Sequence, residues 1–450
     1  MKKQFFLLAF CSFVSVCAFS QNWEWTKTAG GPVFDKTTGI THDHTGNLFI
    51  TGYFDSIIVF DSTRLVSAGG TDIFIAKFDA DGVLLWAKQV GGQNDDYSSA
   101  ISTDITGNCY ITGFFFIQGT TSTFGSTTIT QAGDADMFIS KFSASGNLLW
   151  VRNGGGKNED ASFGLATDVS GNSYVAGYFS GSALFGNYKV NSVGYSDIFI
   201  AKYDAAGNLV WIKTGGGAYQ DEAFAVGTDV AGNCYITGYF TGNASFSGTT
   251  MASSGYFDTD VLLLKYNPSG VLVWAKRAGG TGNDMGYGID ITPGGQSMVC
   301  GTFQGTKSFG ENALTKTAEN NGFIARFETN GKMSWSRNTT GSGITEFRKI
   351  STDGLGSSYV VGSITGDVLF GSIKMSSAGR KDACIAKYDS KGSLMWVEQG
   401  GGEGDDECTS ISADAAGNCF VGGMFSNTAT FGKMKFSSSG QYDIFISRIK

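Results

Sequence analysis

Carboxylates recur along this 450-residue chain at a spacing that invites a chemical reading. Asp35, Asp96, Asp160, Asp221, Asp284 and Asp406 each close a Gly-Gly-x-x-x-Asp loop, and Thr345 stands at the corresponding place in one further copy. Carboxylates gathered by symmetry around an axis would hold a cation or repel anions, and two facing one pocket would serve general acid–base chemistry. An Asp present in copy after copy also suits a local task, hydrogen bonding to its own loop. The pattern favours that local reading.

Other candidates are sparse. The chain has two histidines, in His42-Asp43-His44, but a metal would need a third ligand and a cavity. Asp43 belongs to a repeated tight turn, which explains it without metal. Asp79-Ala-Asp81-Gly82 lacks the further spaced oxygens of a calcium loop. The departures from the repeat are more informative. Glu346, Arg348 and Lys349 follow Thr345, and Lys349 replaces the small residues found in the other copies (Gly39, Ala100, Gly164, Ala225, Gly288 and Ser410). In the preceding copy Asp290 replaces a small residue on the same strand face. Asp290, Glu346, Arg348 and Lys349 are therefore the ligand-binding candidates, for a small polar or anionic ligand. The competing expectation is a compensated ion pair. Nothing in the sequence assigns a catalytic residue, a cofactor or a metal.

The elements that position these residues repeat seven times. Trp25, Trp86, Trp150, Trp211, Trp274, Trp335 and Trp396 are 61 to 64 residues apart. Each is followed by the loop Asp, then by a second Asp (Asp43, Asp104, Asp168, Asp229, Asp353, Asp414, with Thr292 the exception). A Gly, a Phe and an Asp-x-Phe-Ile-Ala-Lys-like segment complete the unit. In one repeat, Ser98–Thr103, Asn108–Phe115, Asp136–Phe142 and Leu148–Arg152 are rich in β-branched and aromatic residues, bounded by Gly and Asp. Four antiparallel strands per unit, with apolar residues on both faces, predict an all-β propeller of seven blades. The segment Trp23–Lys27 reads as a fourth strand and Asp443–Ile449 as a third, so the first is expected to complete the last blade and close the ring.

The units Gly-Gly-x-x-x-Asp and Asp-x-x-Gly-Asn-x-Tyr-x-x-Gly-Tyr, as in 91–114 and 216–239, resemble the bacterial SBBP β-propeller repeat family. The resemblance extends over 22–450. It implies the propeller architecture and no settled activity.

Composition bounds the rest. Lys2 and Lys3, an apolar stretch from Phe5 to Val16, and Ala18-Phe19-Ser20 read as a cleaved signal peptide over residues 1–20, leaving 21–450 as one domain. Val14 and Val16 do not suit a lipid-anchor signal at Cys17. The expected location is secreted or periplasmic, and the leader resembles those of Bacteroidetes-type exported proteins. The last blade ends without the C-terminal sorting domain many of those carry, so outer-membrane export by that route is not expected. Without Lys2 and Lys3, 30 basic and 40 acidic residues leave a charge of −10, which argues against nucleic-acid and anionic-lipid partners. No later run is apolar enough for membrane insertion. Cys109, Cys234 and Cys419 share one repeat position in blades that are not neighbours, so they read as core side chains.

Both length changes between repeats fall in the connection from second to third strand, within 115–123 and 248–259. That connection shares a face with the blade-to-blade loops, where binding is expected. The leading expectation is a non-enzymatic binding or scaffold module for a protein, glycan or small ligand. The alternatives are a glycan-active hydrolase or lyase using channel-facing carboxylates, and a purely structural surface component.

Overall fold

Tight turns and flat, two-sided apolar strands set the architecture. The computed structural model describes residues 23–116, 121–305, 307–309, 312–314 and 316–450, and the expected signal peptide lies outside them. The described residues form strands throughout. One blade is Asp96–Thr103, Cys109–Phe116, Ala135–Phe142 and Leu148–Gly156, paired antiparallel in that order from the channel outward. Seven such blades occur in sequence. Ring closure is as expected: Trp23–Ala29 pairs with Asp443–Ile449, with Thr26 opposite Ser447 and Thr28 opposite Phe445.

The turn chemistry follows the sequence. Asp104 Oδ1 accepts the amides of Thr106 and Asn108, both at 3.0 Å, and Gly107 supplies the left-handed residue at φ 78°. The same Asp anchors a contact between blades. The Tyr110 hydroxyl lies 3.2 Å from Asp104 Oδ2 and donates to the carbonyl of Gly171 in the next blade at 3.0 Å. Lys141 covers the Tyr110 ring at 4.8 Å and reaches Asp104 at 3.1 Å. The repeated Trp does similar work: Trp86, Trp150 and Trp211 donate to Ala144, Ala205 and Pro268 in the blade that follows, at 3.0–3.2 Å. The motif residues therefore join neighbouring blades.

The apolar core lies between blades as well. Ala100, Tyr110, Met137 and Ile139 of one blade pack against Leu165, Val175, Phe199 and Ala201 of the next. Cys109, Cys234 and Cys419 are buried free thiols, as the repeat position implied.

One feature departs from the four-strand expectation. The second-to-third connection is itself a β-hairpin, such as Ser182–Phe185 with Tyr188–Asn191. It adds to the outer strand of the preceding blade, with Phe185 opposite Gly154, Leu184 opposite Gly155 and Ala183 opposite Gly156. Most sheets are thus six-stranded. These strands are four residues long and largely exposed on one face, so their apolar pattern is too short to stand out from loop sequence. The glycine run has a steric cause. A Cβ on Gly156 would lie 2.0 Å from the Ser182 carbonyl oxygen, and one on Gly155 would lie 2.3 Å from Asp136 Oδ1.

Gly155→Ala should therefore lower the stability measured in urea by roughly 1–3 kcal/mol, because the junction cannot yield without moving two buried acids. Gly248→Ala, where no atom lies within 4 Å of the added methyl but φ is 85°, should cost only the backbone strain of about 1 kcal/mol. Equal losses would argue against the junction as the rigid element.

Candidate functional site

The repeated aspartates do not line the channel mouth. Asp35, Asp96, Asp160, Asp221, Asp284 and Asp406 are all buried within the blade junctions. Each accepts the amide of the second Gly in its own motif: Asp160 from Gly156 at 2.6 Å, Asp221 from Gly217 at 2.6 Å, Asp284 from Gly280 at 2.7 Å. The local reading of these residues holds. Each also faces a second buried acid from the third strand of the preceding blade. Asp136 and Asp160, for example, both approach within 3.0 Å of the point where Gly155 would carry a Cβ. The third-strand carboxyls keep one oxygen without a hydrogen-bond partner (Oδ1 of Asp72, Asp136, Asp197, Asp260, Asp382 and Asp443). Burial pushes Asp96, Asp160, Asp221, Asp284 and Asp406 up to about 7 and Asp35 up to about 8. Where the first-strand Asp is lost, at Thr345, its partner is lost too and is Asn321. Two carboxyls so close cannot both ionise cheaply, which accounts for their joint replacement.

His42 and Asp43 have structural partners. His42 Nδ1 lies 2.8 Å from Ser412 Oγ of the neighbouring blade, and Asp43 accepts the amides of Thr45 and Asn47.

The mouth is built by a different device. Every innermost strand carries a register shift at the same place, between Thr37 and Gly39 in the first blade and between Phe347 and Lys349 in the sixth. The same shift occurs in the other five. The bulged residues are Thr38, Ser99, Phe163, Phe224, Tyr287, Arg348 and Thr409. Bulges free a residue from the ladder and re-aim its side chain. Here all seven line a cavity of about 560 Å³ on the face of the blade-to-blade loops, together with Lys36, Tyr53, Tyr97, Phe114, Lys349 and Glu407. This is the face that the length changes indicated.

Its wall is asymmetric. Tyr53, Tyr97, Phe114, Phe163, Phe224 and Tyr287 form an unbroken belt with successive ring centroids 4.8–5.9 Å apart. The belt ends where Arg348 lies 4.9 Å from the Tyr287 ring, and charged residues with Ser and Thr hydroxyls make up most of the rest. Arg348 binds Glu346 at 3.0 Å and Glu407 at 3.1 Å, and Lys381 binds Glu346 at 3.1 Å. Burial works against the Glu346 charge, but Arg348 and Lys381 outweigh it and hold this carboxyl below its ordinary value. Lys349 lines both the mouth and the narrower channel beneath.

Of the four sequence candidates, Glu346, Arg348 and Lys349 meet at this mouth region. Asp290 does not join them. It accepts the amides of Ile291 at 2.8 Å and Thr352 at 2.7 Å, deeper along the strand, and makes no ion pair with Lys349. The reason is register: Asp290 is two positions further along its strand than Gly288, the counterpart of Lys349. Sequence reasoning missed the aromatic belt, Lys36, Lys381 and Glu407. Its available signal was that the third residue after each loop Asp varies from Thr to Phe to Arg while its surroundings stay constant.

Residues 85–113 match the SBBP β-propeller repeat. The chain is 24% identical over 455 aligned residues to an uncharacterized WD repeat-containing protein L264 of Acanthamoeba polyphaga mimivirus, covering 80% of this chain and 32% of the relative. It is 25% identical over 296 residues to the regulatory protein FlaEY of Caulobacter vibrioides, covering 61% and 30%. The chain thus spans about a third of the length of these relatives. Among solved structures it is similar to Sqt1 from Chaetomium thermophilum, with 8% identity, a TM-score of 0.43, and 88% and 97% of the two chains covered. A gluconolactonase from Xanthomonas campestris gives 10% identity, a TM-score of 0.32, and 69% and 78% coverage. Neither structural likeness bears on function.

The buried acids make stability depend on pH. Their folded values lie above the unfolded value of 3.8, so the stability they contribute is present at low pH and lost as pH rises through about 7. The melting temperature should fall between about pH 4 and 8 and level off above that. Replacing one junction with the natural alternative, Asp136→Asn with Asp160→Thr, should flatten that fall, as calorimetry across the pH series would record.

Proposed function

We propose that this protein is a non-enzymatic binding or scaffold module, exported from the cytoplasm, that receives its ligand or the tip of a partner at the channel mouth. The observation that carries the reading is the broken symmetry there. Seven equivalent bulges carry seven side chains to one cavity, and those side chains run from aromatic to charged instead of repeating. A residue serving only its own blade would recur in each blade. Aromatic walls with a few placed polar groups suit small ligands and sugars. A second group of aromatics on the same face supports contact with a larger partner: Tyr219, Tyr256 and Phe257 meet at ring distances of 4.9–5.6 Å, and Tyr256 and Phe257 are about 70% exposed. They include the lengthened connection at 248–259. The leader at residues 1–20 supports export.

The hydrolase or lyase alternative needs a protonated acid facing the pocket. The acids raised to about 6–8 are buried at the junctions, and at the mouth Arg348 and Lys381 hold Glu346 below its ordinary value while Glu407 is ion-paired with Arg348. The arrangement favours holding a ligand over transferring a proton.

The test is a thermal-shift panel of sugars, glycans and peptides on residues 21–450, repeated on Phe224→Ala. A ligand present at a hundred times its Kd should add about 2.7 kcal/mol to stability, and this gain should disappear in Phe224→Ala while the melt stays cooperative. Ligands that bind wild type and Phe224→Ala equally well would move the site away from the mouth.

A further inference from the structure

The cations at the mouth are not equally satisfied. Arg348 and Lys381 are balanced by Glu346 and Glu407. Lys36 and Lys349 are not: among the described residues, neither ammonium has a hydrogen-bond or ion-pair partner. Glu407, the carboxylate whose field reaches Lys36, is already held by Arg348 at 3.1 Å. Lys349 has no carboxylate acting on it, and burial pushes its ammonium down from the ordinary lysine value. A charged group withdrawn from water without a partner costs free energy, and it is retained most simply where a ligand supplies the partner.

The position of these two lysines points the same way. Lys349 stands at the floor, where the mouth narrows into a channel of about 120 Å³ lined by Gly39, Ala100, Gly164 and Ala225. Small residues are required at that level: a Cβ on Gly164 would lie 2.8 Å from the Val226 amide nitrogen, and one on Gly288 would lie 3.0 Å from Lys349 Cα. Lys349 is the one long side chain of that level, on a chain whose overall charge is −8. Opposite the charged sector stands the aromatic wall.

We infer that the mouth binds an anion carried on a flat apolar body, its carboxylate, phosphate or sulfate received by Lys349 and Lys36 and its ring laid against Phe163, Phe224 and Tyr287. This rests on the reading of the mouth as a binding site and adds the chemical class of the ligand. An acidic sugar ring and an aromatic acid share this chemistry.

Calorimetric titration of residues 21–450 with three probes tests it: 2-naphthoate, its neutral amide 2-naphthamide, and inorganic phosphate. The expected result is that naphthoate binds at least tenfold tighter than the amide. Lys349→Met and Lys36→Met should each weaken naphthoate about tenfold, the effect of removing one charged hydrogen bond, and leave the amide unchanged. Phe224→Ala should weaken both ring probes. Lys349→Met should melt no lower than wild type, since it removes an unpaired, half-buried charge, and this controls for folding. Equal binding of acid and amide, or equal loss of both in the lysine variants, would overturn the anion assignment and leave the mouth as a site. Phosphate bound as tightly as naphthoate would overturn the part given to the aromatic wall. Silence from all three probes overturns the inference, and silence together with unchanged panel binding in Phe224→Ala overturns the underlying reading as well.

Discussion

The blade junction is the constraint on which the rest of the structure depends. At the centre of six of the seven a chain passes so close to two buried carboxyls that only glycine fits: a Cβ at Gly216 would lie 2.6 Å from Asp197 Oδ1 and 2.8 Å from Asp221 Oδ2. The next glycine is crossed equally closely by the hairpin of the following blade. Three features of the repeat follow from this one packing point. The Gly-Gly pair clears the space, the loop Asp accepts the second glycine's amide, and the hairpin extends the outer strand to a six-stranded sheet. None can change alone, which is why the exceptional junction carries both Asn321 and Thr345.

On the opposite face the same logic is carried by side chains. In most units the Trp and the third-strand Lys, with Tyr where it is present, bond to the turn of the next, so each blade completes its neighbour. An isolated blade would leave its apolar faces and its outer edge open. The ring resolves this by closing on itself, with Trp23–Ala29 occupying the last open edge. Rigidity at both faces leaves the mouth as the place where side chains vary without cost to the scaffold.

That variation depends on the bulge in each innermost strand. A regular strand would turn Thr38, Phe163 or Arg348 alternately toward the blade interior and away from it. The extra residue releases one position per blade from pairing and directs it inward. Because all seven bulges share one height, residues about sixty positions apart become neighbours. Phe163, Phe224 and Tyr287 then pack into one wall, and Arg348 can reach Glu407 of the next blade.

Much of this was legible in the chain itself. Seven Trp-to-Trp intervals, Asp-capped turns and two-sided apolar strands are local patterns, and they determined the blade count, the strand order and the closing strand, because each records a contact made again in every unit. Glu346, Arg348 and Lys349 were also visible, as breaks in an otherwise regular repeat. The added hairpins were not, since four exposed residues make too short a pattern to separate from a loop. Nor was the separation of Asp290 from Lys349, which follows from a two-residue offset along paired strands. Above all, the aromatic belt and the unpaired Lys36 and Lys349 were decided only by tertiary structure: the sequence specifies each side chain singly, and their meeting depends on a closed ring that sets seven bulges around one axis.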